Sequence, residues 1–133
     1  MINYEELLTK AKEMTEFSYC PYSKFAVGAC ILYESGKTYI GCNVENASYG
    51  LSLCAERNAI SNAIANGEKT NPIAIAIVSP NKKMCLPCGA CRQWFCEFQK
   101  RDNDIEVVLE DENGNPKIFK SSELLPHGFD LIQ

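Results

Sequence analysis

The stretch Pro72-Ile73-Ala74-Ile75-Ala76-Ile77-Val78 is a nearly continuous apolar run. Apolar at successive positions rather than alternate ones, it predicts a central strand covered on both faces. On its N-terminal side, Phe25 to Tyr33 and Thr38 to Val44 read as two further strands. Glu34-Ser35-Gly36-Lys37 between them has the chemistry of a hairpin turn. On its C-terminal side, Ile105 to Leu109 reads as a fourth strand and Lys117 to Phe119 as a short fifth, with Glu112-Asn113-Gly114-Asn115 turning between them.

Helices supply the covering layers. Tyr4, Leu7, Leu8, Ala11, Met14 and Phe17 fall at helical spacing. Asn3 is placed to cap that helix, Glu5 and Glu6 stand in its first turn where the dipole favours acids, and it must stop before Pro21. A second helix is expected over residues 54 to about 66, burying Ala55, Ala59, Ile60, Ala63 and Ile64 and ending at Asn66-Gly67. A third is expected over residues 89 to about 100, bearing Trp94, Phe95 and Phe98. Ser121 to Leu125 makes a final helical turn, broken by Pro126-His127-Gly128-Phe129. The order α-β-β-α-β-α-β-β predicts one α/β domain over residues 1–133, with helices on both faces of the sheet.

At 133 residues the chain is long enough to bury a core without disulfide staples. Its formal charge of −4 argues against holding nucleic acid through the phosphates and leaves room for a neutral small molecule. Met1-Ile2-Asn3-Tyr4-Glu5-Glu6 has neither a basic stretch nor a following apolar run, so no signal peptide and no membrane span are expected. The expected compartment is the cytoplasm. There, eight cysteines read as metal ligands, buried thiols or redox groups rather than a disulfide framework.

Two short stretches concentrate the chemistry: Cys54-Ala55-Glu56-Arg57 and Pro87-Cys88-Gly89-Ala90-Cys91-Arg92-Gln93. Each is expected at a helix start, where the dipole and free backbone N–H groups stabilise thiolate over thiol. Cys88 and Cys91, three apart, share a helix face. With Cys54 they offer zinc three thiolates and leave one position open to water. Three thiolates on Zn²⁺ carry a net −1, so Arg57 and the two helix N-termini are the compensating positive elements. Glu56 is close enough to a ligand to move the water's proton without binding the metal.

Other readings of these cysteines stand beside this one. Cys85, Cys88 and Cys91 spell two overlapping C-x-x-C pairs that suit an iron–sulfur cluster with Cys96. Cys54, Cys85, Cys88 and Cys91 suit a closed structural zinc site. Cys20, Cys30, Cys42 and Cys96 read as small buried hydrophobes.

The two cysteine stretches resemble the signature of the cytidine deaminase family, in its small, three-cysteine, homotetrameric form. Pro21-Tyr22-Ser23-Lys24-Phe25, Val27-Gly28-Ala29 and Gly41-Cys42-Asn43-Val44-Glu45-Asn46-Ala47-Ser48-Tyr49-Gly50 extend the likeness, which runs from about Pro21 to Phe129. The resemblance implies a three-layer α/β/α sandwich with a mixed five-stranded sheet. It implies hydrolytic deamination of cytidine and 2′-deoxycytidine to the uridine forms, with release of ammonia, in pyrimidine salvage.

Cys54, Cys88 and Cys91 would hold one Zn²⁺ per subunit, and Arg57 would hydrogen-bond the thiolates. Glu56 would deprotonate the attacking water, protonate ring nitrogen N3 and deliver a proton to the leaving ammonia. Asn43 and Glu45 match residues that grip the ribose hydroxyls, and Phe25 an aromatic wall of the base pocket. Ala47, Tyr49 and Phe129 match positions that reach a neighbouring subunit's pocket, Phe129 stacking on the base. Cys85 and Leu86 depart from the family pattern, which more often has small or polar residues there. Blasticidin-type deaminases share the zinc motifs, but their pocket loop lacks the Asn46-Ala47-Ser48-Tyr49-Gly50 pattern.

Overall fold

The computed structural model describes residues 1–99 and 103–131. In chain order the elements are α1 (Tyr4–Met14), β1 (Gly28–Tyr33), β2 (Thr38–Cys42), α2 (Ala55–Ala65), β3 (Pro72–Val78), α3 (Gly89–Phe98), β4 (Glu106–Glu110), β5 (Pro116–Lys120) and α4 (Ser121–Leu124). Five strands form one mixed sheet in the order β2-β1-β3-β4-β5. β3 is the middle strand, antiparallel to β1 and parallel to β4.

The apolar run in β3 divides by parity, and each half meets a different layer. Ala74, Ala76 and Val78 face α1 together with Cys30 and Val108. Ile75 and Ile77 face the opposite way with Ile31, Val107 and Leu109, against Ala59 and Ile60 of α2 and Phe95 of α3. Small residues on the first face let α1 lie close to the sheet through Leu7, Leu8 and Ala11. Asn3 caps α1 as expected, its side chain accepting from the Glu6 N–H at 3.1 Å.

Strand directions bring two helix starts together. β2 and β3 are both antiparallel to β1 and therefore run the same way. α2 follows β2 and α3 follows β3, so both helices begin beyond the carboxyl ends of strands at one edge of the sheet, where open α/β sheets place their ligands. Gly41 on β2 keeps α2 close: a Cβ there would stand 2.5 Å from the Ala59 nitrogen and 2.6 Å from the Ala55 carbonyl oxygen.

Several expected boundaries shift, each with a local cause. β1 begins at Gly28 rather than Phe25, because residues 25 and 27 pair with the Asn43 side chain, and the Val27 carbonyl with the Asn43 N–H, rather than with a strand. β2 ends at Cys42, since the Asn43 carbonyl turns away to accept from the Tyr19 N–H at 3.0 Å. α1 ends at Met14 and tightens into a 3-10 turn over Thr15–Phe17, leaving Phe17 exposed. Ile64, expected to be buried on α2, is 54% exposed; Glu56 instead is buried, 4% exposed, on the inner side of the same helix. The expected end of α3 at residue 100 lies outside the described residues; the described helix closes at Phe98.

Two stability predictions follow from these contacts. Gly41→Ala drives a methyl group into the backbone of α2, and overpacking of that kind costs about 1–3 kcal/mol; urea unfolding should show the lowered midpoint. Glu68 accepts hydrogen bonds from the Thr70 hydroxyl at 2.6 Å, the Ser35 hydroxyl at 2.8 Å and the Tyr39 hydroxyl at 2.9 Å. These bonds, the Thr70 hydroxyl first, hold its carboxyl at about 2 rather than 4.5. A depressed carboxyl stabilises the fold above its unfolded value and loses that contribution as pH falls through its folded one. Glu68→Gln should therefore lower the thermal midpoint at neutral pH, and the gap from wild type should close as pH falls from about 4.5 to about 2.

Candidate active site

Cys54 and Cys88 occupy the N-cap positions of α2 and α3, and neither sulfur caps its own helix. Both are free to meet, and Cys91, one turn into α3, joins them. The Cys54 and Cys88 sulfurs are 3.6 Å apart, as are those of Cys88 and Cys91. All three lie within 4.8 Å of one another. A disulfide needs about 2.05 Å, whereas sulfurs on a zinc tetrahedron with bonds of about 2.3 Å stand about 3.8 Å apart. The spacing is that of ligands, not of a covalent bridge.

Charge gives the same answer. The Cys54 thiol is pulled down to about 5, first by its hydrogen bond with Cys91 and then, against the cost of burial, by the Arg57 guanidinium. Arg57 Nη2 lies 3.3 Å from the Cys54 sulfur, while its Nε is buried without an acceptor. Cys91 moves far the other way, because it holds the proton shared with Cys54 and is buried. One thiolate forms at its neighbour's expense. A cation placed among the three sulfurs would relieve that competition, and a divalent ion such as zinc suits the donor set.

The rival cysteine sets do not assemble. Among the described residues the sulfur cluster has three members, and Cys85 is not one of them. The Cys96 sulfur instead faces the Phe129 carbonyl at 3.8 Å. Neither a fourth ligand from Cys85 nor an iron–sulfur run through Cys96 is built. Cys30 is buried in β1, whereas Cys20, Cys42 and Cys96 are only partly covered.

Beside the sulfurs opens a cavity of about 360 Å³. Cys54, Cys88 and Glu56 line it together with Asn43, Glu45 and Ser23. Phe25, Val27, Leu53, Cys85 and Leu86 form its apolar walls. An apolar pocket with a few convergent polar groups is the usual form of a small-molecule site. Burial, more than the neighbouring Cys54 charge, pushes the Glu56 carboxyl up to about 7. A larger groove of about 540 Å³ between α2 and α3, walled by Ile64, Trp94 and Phe98, carries none of the three sulfurs.

Two of the polar lining side chains are tied to loop backbone. Asn43 Oδ1 accepts from the Val27 N–H at 2.9 Å and Nδ2 donates to the Phe25 carbonyl at 2.8 Å. Each end of that amide retains one further hydrogen-bonding position. Glu45 accepts from the backbone N–H of Tyr22 at 3.0 Å and of Ser23 at 3.1 Å, and from the Ser23 hydroxyl. That hydroxyl, with the two N–H groups, holds the Glu45 carboxyl below its ordinary value.

Of the residues singled out in the sequence, Phe25, Asn43, Glu45, Cys54, Glu56 and Cys88 line this cavity; Cys91 and Arg57 do not, and reach it through the sulfurs of Cys54 and Cys88. Ala47, Tyr49 and Phe129 do not line it. Ala47 is exposed, Tyr49 is 79% exposed with its ring edge-on to Tyr22, and Phe129 is 69% exposed. Ser23 and Cys85 line the cavity without having been singled out for it. The alternation of polar and aromatic residues in Pro21-Tyr22-Ser23-Lys24-Phe25 was the available signal for Ser23; no pattern marked Cys85 as a wall.

Comparison with known proteins agrees with this geometry. Residues 1–106 match the family profile described as "Cytidine and deoxycytidylate deaminase zinc-binding region". A cytidine deaminase from Halalkalibacterium halodurans is 42% identical over 92% of this chain and 91% of its own. One from Sporosarcina psychrophila is 38% identical over 96% and 92%. The crystal structure of cytidine deaminase from Burkholderia pseudomallei superposes with a TM-score of 0.86 at 42% identity, covering 96% of this chain and all of that one. The chain belongs to the cytidine and deoxycytidylate deaminase family.

Proposed function

We propose that this enzyme hydrolyses cytidine and 2′-deoxycytidine to uridine and 2′-deoxyuridine, releasing ammonia. The observation that carries the reading is one cavity lined by two sulfurs of a three-sulfur cluster, a buried carboxyl group and the hydrogen-bonding side chains of Asn43, Glu45 and Ser23. Cys54, Cys88 and Cys91 are the residues that would hold one zinc ion per subunit. When bound, zinc supplies the Lewis acid that brings water toward deprotonation near neutral pH.

Glu56 moves the protons. Two positions from Cys54 and screened from bulk solvent, it takes a proton from the water that adds to C4 and delivers it to N3 of the pyrimidine; it then takes the proton left on the added hydroxyl and passes it to the departing amine, as the C4–N bond breaks and the C4 carbonyl forms. Arg57 offsets the charge of the sulfurs. Phe25 forms a wall for the base, while the unused positions on Asn43 and Glu45 bind the ribose hydroxyls. Ala47, Tyr49 and Phe129, exposed and outside their own chain's cavity, serve a neighbouring subunit's pocket in a homotetramer. Residues 1–133 act as one catalytic domain in the cytoplasm, in pyrimidine salvage, on nucleoside rather than nucleic acid. Among the described residues no helix is long and apolar enough to cross a membrane.

Loss of the cytidine absorbance band on addition of zinc-loaded protein tests the reading, and its absence overturns it. Glu56→Gln should retain zinc while lowering kcat by about 10²–10⁴-fold, the usual contribution of a general acid–base. Arg57→Gln should weaken zinc retention by about 10–100-fold, as loss of groups supporting metal ligands does. Arg57→Lys, which keeps the charge but not the planar fork, should fall between. Competition with a chromophoric chelator reads both.

A further inference from the structure

The C-terminal segment is fastened to the helix that carries two of the three sulfurs. Gln93 follows Cys91 by two residues on α3 and grips Phe129 by both backbone groups. Its Oε1 accepts from the Phe129 N–H at 3.0 Å, and its Nε2 donates to the Phe129 carbonyl at 2.8 Å. Arg92, beside it, donates from Nε to the Pro87 carbonyl at 2.7 Å and from Nη1 to the Leu124 carbonyl at 3.1 Å. Its guanidinium thus ties the loop before Cys88 to the end of α4.

One turn along α3, Cys96 lies under Gly128 with no room to spare: a Cβ on Gly128 would stand 2.5 Å from the Cys96 sulfur. The backbone of Phe129 is therefore held from two sides, yet its ring is 69% exposed and adds little to the chain's own core. An aromatic kept for packing shows the reverse, a buried ring.

We propose that Gln93 is a positioning residue, holding Phe129 at a set place relative to the metal-site helix so that its ring is presented to the substrate pocket of a neighbouring subunit. This rests on the reading of Phe129 as a substrate wall. Gln93 touches neither substrate nor metal; it acts through the Phe129 backbone. The fixed backbone removes the ordering cost that a loose tail incurs each time its ring meets a base.

Steady-state kinetics with cytidine on the zinc-loaded oligomer tests this. Gln93→Met keeps the side chain's size and loses both hydrogen bonds. It should raise KM about five- to tenfold, with kcat within about twofold of wild type. Zinc content and thermal midpoint should stay near those of wild type. Gln93→Glu keeps the acceptor for the Phe129 N–H and loses the donor, so its KM should fall between. Gly128→Ala, which pushes the segment off Cys96 from the other side, should show the same rise in KM. In a Phe129→Ala background, Gln93→Met should change KM no further.

Effects that multiply in the double variant overturn the positioning role and leave Phe129 at the substrate. So does an unchanged KM in Gln93→Met beside a raised KM in Phe129→Ala. An unchanged KM in Phe129→Ala overturns the substrate-wall reading itself, and the role of Gln93 with it.

Discussion

Three sulfurs held within 4.8 Å of one another at the starts of two helices are the constraint on which the working end of this molecule depends. Left alone, that arrangement divides the thiols: Cys54 ionises readily while Cys91 holds its proton. The positive elements that relieve it are structural. Two helix N-termini supply partial charge, and Arg57 supplies a full one from the helix that bears Cys54. The sheet makes the convergence possible, because β2 and β3 run in the same direction and α2 and α3 leave them at the same edge.

The sheet was legible in the sequence because its central strand carries two signals at once. Alanine and valine on one parity and isoleucine on the other fill the run in β3, so the strand announces two covered faces. The turns at Gly36, Gly67 and Gly114 were equally plain, each having a positive φ. What the sequence did not show was where strands stop. β1 lost its first three residues to the side chains of Asn43 and Asn81, partners sixteen positions away or more. Tertiary hydrogen bonds override local propensity in such places.

The three-sulfur cluster was legible for a different reason. Cys88 and Cys91 are local to one another, and Cys54 repeats their context at another helix start. Ile64 and Cys85 mark the boundary of that kind of reading. Helical periodicity assigned Ile64 to the core, but the inner side of α2 is rotated toward Glu56, which leaves Ile64 on the groove beside Trp94. Spacing made Cys85 a possible fourth ligand. The structure turns it to the cavity wall, where burial raises its thiol to about 11 and keeps it protonated. A motif states which side chains can share a metal; only the path of the chain decides which do.

Asn43 and Glu45 show how the fold and the pocket share parts. Both side chains hold loop backbone in place, Asn43 at Phe25 and Val27 and Glu45 at Tyr22 and Ser23. Both also line the cavity with hydrogen-bonding capacity left over. Groups that are already oriented by neighbours lose little freedom on meeting a ligand, so these two side chains are ordered before any ligand arrives. The coupling works in both directions. A change at either residue loosens the segment that carries Phe25 and so alters the apolar wall along with the polar contact. Binding here is therefore a property of the whole loop from Pro21 to Val27, and not of two side chains taken singly.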